Sequence, residues 1–248
     1  MLPTPFQQIV PLTLVYRFPE RNKVPDFTTF SSLLRVTTKY EMPAVRSRIL
    51  DIIHDAYPET FEGLAPSKRI GERIFSGPTP HPNEVLNLFV QQKVASALPM
   101  AYYMAARMGL DSLMDTRLPA SARLPPDTLR AAMKGLLALR EMELKEIHRL
   151  ILWSRGPRSC SWSECRSRDA GLRVSKAHQE VVDRIADSAH SGTRILEVLS
   201  LKEVFGADWA AFWNDGFCDN CVEDWEAAHA DVRKKAWGTL PGVFGLNG

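Results

Sequence analysis

Leu124-Pro-Pro-Asp-Thr-Leu-Arg-Ala-Ala-Met-Lys-Gly-Leu-Leu-Ala-Leu-Arg-Glu-Met-Glu-Leu-Lys-Glu-Ile-His-Arg-Leu-Ile151 decides the fold class of this chain. Proline lacks an amide hydrogen and clashes with the preceding turn, so Pro125 and Pro126 suit the start of a helix and not its middle. After them, Leu129, Met133, Leu136, Leu137, Leu144, Ile147, Leu150 and Ile151 recur mainly three, four and seven residues apart. That spacing lays an apolar stripe along one long helix. Gly135 interrupts the stripe, which predicts either close helix packing or a break.

The same signals recur on both sides of this stretch. Asp26 is placed to cap a helix whose apolar positions run Phe27, Phe30, Leu33, Leu34 and Tyr40. Met42-Pro43 ends it, and Pro43 suits the first turn of the next helix, which carries Val45, Ile49, Ile52, Ile53 and Ala56 and stops before Pro58. Asn83 is read as the cap of a third helix, with Val85, Leu86, Leu88 and Phe89. Leu98 to Met108 reads as a fourth, closed by Gly109. Two further helices are expected, one over Leu172 to Ala189 and one following Cys221 with Val222, Trp225, Ala228 and Val232. Strand character is confined to Ile9-Val10 and Leu12 to Tyr16, around Pro11. The expected fold is mostly α.

Composition narrows the function classes. The 248 residues are 45% hydrophobic and 24% charged, which supports a packed core. A net charge of +2 makes no global case for nucleic acid or an anionic membrane. The N-terminus lacks the basic and apolar regions of a secretory signal, and no apolar run approaches the roughly 18 residues that span a bilayer. The expected compartment is therefore the cytoplasm or nucleus, where paired cysteines bind metal more often than they form disulfides.

The four cysteines form two close pairs, Cys160-x₄-Cys165 and Cys218-x₂-Cys221, separated by residues 166 to 217. Structural zinc takes four thiolates, each ~2.3 Å from the metal, and collects them from two such knuckles. The reading is a structural Zn²⁺ site made of Cys160, Cys165, Cys218 and Cys221. The bland alternative is four thiols packed as small apolar groups. A third reading makes Cys218-Asp-Asn-Cys221 a thiol-redox motif at a helix N-terminus, where thiol pKa falls. No βαβ framework precedes it in the sequence. The basic residues Arg155, Arg158, Arg166, Arg168 and Arg173 beside the first pair raise a nucleic-acid-binding zinc module as a further alternative. The histidines show no metal-binding spacing. The chain carries no nucleophile elbow, no phosphate-cradling glycine loop and no paired acidic motif, so the reading is non-enzymatic.

Four stretches carry a family likeness. Phe27-Thr-Thr-Phe-Ser-Ser-Leu-Leu-Arg-Val-Thr-Thr-Lys-Tyr40-Glu-Met-Pro-Ala-Val-Arg46 resembles the C-terminal helices of a BTB/POZ domain, of the type abundant in mushroom-forming (basidiomycete) fungi. Leu98-Pro-Met-Ala-Tyr102-Tyr103, the two cysteine pairs, and Trp237-Gly-Thr-Leu240-Pro241-Gly-Val-Phe244-Gly245-Leu246 resemble later motifs of the same proteins. The resemblance implies a partial BTB/POZ-like region over residues 1–63, with its N-terminal half truncated. It further implies a BACK-like helical region over 64–153 and, over 154–248, a helical C-terminal subdomain stabilised by the four-cysteine cluster. It also implies adaptor work: a protein partner, self-association, or recruitment of a cullin-type ubiquitin ligase. Without a β-rich half to cover them, the apolar faces of residues 27 to 56 are the expected contact surface.

Overall fold

The computed structural model describes residues 25–64, 75–154, 195–196 and 219–246. They are helical, with no strand among the described residues. The long helices are α1 (Phe27–Lys39), α2 (Pro43–Ala56), α3 (Pro82–Gln91), α4 (Leu98–Arg107), α6 (Pro126–Ser154) and α7 (Asp219–Val243), with a short α5 (Leu110–Met114) and 3₁₀ turns at Ala95–Ala97 and Ala120–Ala122. The expected strand at Ile9 to Tyr16 and the expected helix at Leu172 to Ala189 lie outside the described residues.

Local chemistry accounts for the boundaries. The Asp26 carboxylate accepts from the Thr29 amide at 2.9 Å and from its hydroxyl at 2.8 Å, closing the start of α1. Pro43 and Pro126 open α2 and α6 at positions where a missing amide hydrogen costs nothing. Gly109 adopts a φ of +84° between α4 and α5, a conformation that glycine takes without strain. α7 runs further than its apolar spacing suggested, through Gly238 and Pro241 to Val243.

Buried apolar side chains from α1 to α7 meet in one core, which runs from Phe30 through Phe89, Tyr103 and Leu139 to Phe244. α6 and α7 pack antiparallel along it. Lys235 bonds Glu146 at 2.7 Å, Thr239 points its hydroxyl at the Met142 sulfur at 3.9 Å, and Phe244 reaches Gly135. Gly135 is therefore a close-packing glycine. A Cβ built there would stand 2.0 Å from Phe244 Cε1, so the aromatic ring occupies the space that any side chain would need. The same ring stacks on Tyr102, with centroids 5.0 Å apart.

The apolar faces of α1 and α2 differ from expectation. Phe30, Leu33, Leu34, Ile49 and Ile53 are buried in the chain's own core. Phe75 packs edge-on against both Phe27 and Phe30 at 5.1 Å, and Tyr57 packs edge-on against Phe89. The faces expected to stay open for a partner are thus buried within the chain, with Phe75 covering part of α1. The large apolar side chains left exposed stand elsewhere: Tyr40 at 63%, Leu137 at 66% and Leu144 at 42% are among them.

Candidate functional site

Of the four cysteines read as zinc ligands, Cys160, Cys165 and Cys218 lie outside the described residues. Cys221 lies within α7. The basic stretch from Arg155 to Arg173, together with His178 and His190, also lies outside the described residues. Among the described residues, no group of three or more histidine, cysteine or acidic side chains could hold a metal.

The described residues instead bring polar groups together at the start of α3. Sequence reasoning assigned the cap to Asn83. The structure moves it two residues back, to His81, with Pro82 in the first helical position. The His81 ring Nδ1 accepts from the Asn83 amide at 3.2 Å, and its carbonyl accepts from the amides of Glu84 and Val85. Nδ1 can accept only when unprotonated, so the neutral ring carries its hydrogen on Nε2 and donates to the Ser112 hydroxyl at 3.2 Å. Partial burial pulls the His81 pKa down, and the negative charges of Glu84 and Asp115 oppose that pull. Asp115 is itself engaged by Arg117 at 2.9 and 3.0 Å, which holds its carboxyl below the usual range.

This corner resembles a nucleophile and base in outline only. Ser112 and His81 are within reach of each other, but a working base needs its second nitrogen to donate to an orienting group. Here that nitrogen accepts a backbone hydrogen bond. The neighbours work the same way. Asn87 donates to the carbonyls of Ser121 and Arg123 at 2.8 and 3.0 Å, and Ser121 bonds Glu84. The arrangement pins the 120–123 turn to α3.

A second polar device sits in the core. Ile195 and Leu196 are buried at 5% and 0% exposure. The Leu196 amide donates to the Tyr103 hydroxyl at 3.3 Å, and its carbonyl accepts from Arg233 Nε at 2.9 Å. Arg233 is almost completely buried, with its guanidinium 5.5 Å from the Phe61 ring centre. Burial lowers its pKa, and Tyr103 opposes the shift. Sequence reasoning missed this pair. The available signal was an arginine three residues before Ala236 and seven before Leu240, on the buried side of α7.

No family model, no curated protein and no solved structure matches this chain.

Proposed function

We propose that this chain is a non-enzymatic protein-interaction module, similar to fungal BTB-type adaptors, whose C-terminal part is held by a structural zinc ion. One observation supports the scaffold reading most. The polar side chains best suited to chemistry are used structurally: Asn87, Tyr103 and Arg233 bond backbone groups of distant segments, and His81 caps its own helix while reaching the Ser112 hydroxyl. The exposed apolar side chains Tyr40, Leu137 and Leu144 are available for contacts. The proposed partners are a second copy of the chain or, by the resemblance, a cullin-type ubiquitin ligase.

Light scattering across micromolar concentrations tests the interaction reading. The expected result is a mass that rises with concentration; a strictly monomeric, well-folded species contradicts self-association. Zinc is tested separately by metal analysis of purified protein. The expected result is one zinc per chain, lost in Cys218→Ser. Small structural zinc sites contribute about 10–16 kcal/mol of apparent binding energy, comparable with a whole domain's stability of roughly 5–15 kcal/mol. Removal should therefore loosen the C-terminal part. Unchanged metal content and melting in Cys218→Ser exclude the site.

A further inference from the structure

Asn83 and Asn87 stand one turn apart on α3, so their carboxamides share a side of the helix. Asn83 is completely buried and Asn87 is 6% exposed. The Nδ2 of Asn87 is used on the 120–123 turn, but no protein group bonds its Oδ1, nor Nδ2 or Oδ1 of Asn83. Buried polar atoms are nearly always paired, with protein or with ordered water, so three orphans in one place require an explanation.

We infer that this corner is a binding site for a small neutral molecule that both donates and accepts hydrogen bonds, namely water, held between α3 and the 120–123 turn. The complement is set by the orphans: an acceptor for Asn83 Nδ2 and donors for the two Oδ1 atoms. Water supplies two of each, and side chains one helical turn apart, with Cβ atoms about 5–6 Å from each other, lie within its bridging reach. An anion is disfavoured because His81 already occupies the first amides of α3 and the Glu84 carboxylate is close by. A cation is disfavoured because the Asn83 amide hydrogens would point their positive charge toward it. Because both carboxamides are buried, exchange with bulk solvent requires a local opening of the structure around them. The bound molecule therefore stays far longer than surface water. This inference is independent of the adaptor reading.

The test is water-to-amide magnetisation transfer in the ¹⁵N-labelled chain, read at the side-chain NH₂ groups of Asn83 and Asn87. Cross-peaks with the sign of a long-lived water are expected, and they should vanish at Asn87 in Asn83→Leu. The same substitution gives a second readout. If nothing is bound, it removes two orphaned atoms and raises the melting temperature. If water is bound, it strands Asn87 Oδ1 and lowers the melting temperature. A leucine that merely fits badly would also lower it, so the cross-peaks in the unaltered chain decide. Their failure to appear overturns the inference, as does a saturable shift of these NH₂ groups on titration with KCl, which would make the occupant a cation.

Discussion

The contact at Gly135 and the corner at His81 both lock distant stretches of chain together, and they do so by opposite physics. At Gly135 an aromatic ring fills a space in α6 that exists because a side chain is missing, and the same ring stacks on Tyr102. Nothing in that contact titrates near neutral pH. At His81 the lock is a set of directional bonds through a neutral imidazole, and its cap on the Asn83 amide is lost when Nδ1 takes up a proton. Shape holds the end of the chain; protonation state holds the start of α3.

The costliest change lies on the apolar side. Phe244→Ala removes a ring that is 3% exposed and should cost about 3–5 kcal/mol, measured by denaturant unfolding. Gly135→Ala is the more revealing change. Alanine gains about 1 kcal/mol of helix propensity over glycine. Against that, its Cβ meets a rigid ring at 2.0 Å, and overpacking of a tight core costs about 1–3 kcal/mol, with a contact this short at the upper end. The substitution should therefore destabilise the native chain. In a Phe244→Ala background the clash is gone and the propensity gain remains, so the sign should reverse. A Gly135→Ala effect of the same sign and size in both backgrounds would refute the ring-in-gap packing.

The polar corner should respond to pH where the apolar contact does not. His81 has its folded pKa depressed below the ordinary 6.5. As pH falls, the unfolded chain takes up this proton first, so stability from the neutral cap is complete above the unfolded value and drains away as pH falls through the folded one. His81→Asp supplies a carboxylate cap that needs no deprotonated imidazole. Between about pH 7 and pH 5 the variant should lose less stability than the native chain. Identical pH profiles would mean that the Nδ1 cap contributes nothing.

Much of the helical layout was readable before any coordinates, for reasons that these two regions separate. Asp26, Pro43, Pro126 and Gly109 each have one dominant physical use, so their positions could be interpreted from sequence, whereas Gly135 allowed either close packing or a break until Phe244 was seen against it. His81 could not be interpreted from sequence. Histidine is a rare cap, and Asn83, a better capping residue, stood two positions later and drew the boundary to itself. The contact at Ile195 and Leu196 was hidden because the arginine that bonds the Leu196 carbonyl looks like a surface residue until its partners are known. The covering of α1 was also hidden, because part of it comes from Phe75, which belongs to no helical stripe. Of the cysteine site, the described residues hold only Cys221, within α7.

The finest distinction concerns three helix ends that share one motif and differ in one residue. α1, α3 and α7 each close with a 6→1 backbone bond: Met42 to Thr37 at 3.0 Å, Val94 to Phe89 at 3.0 Å, and Leu246 to Pro241 at 2.8 Å. The motif puts the residue before the donor in the left-handed region, where glycine is at ease. α7 has Gly245 there, at φ +70°, whereas α1 has Glu41 at +50° and α3 has Lys93 at +52°. A residue with a Cβ loses roughly 1–2 kcal/mol in that conformation, less the chain entropy that glycine would add to the unfolded state. Glu41→Gly and Lys93→Gly should thus each stabilise the chain by up to about 1 kcal/mol, and Gly245→Ala should destabilise it by a similar amount. At Lys93 the gain is reduced by losing a cation at a helix C-terminus, a contribution of about 0.3–1 kcal/mol. At Glu41 it is increased, because the lost charge is an anion at the negative end of the dipole. Glu41→Gly should therefore raise the melting temperature more than Lys93→Gly. The opposite order would show that side-chain contacts of Glu41 outweigh both its backbone strain and its unfavourable charge.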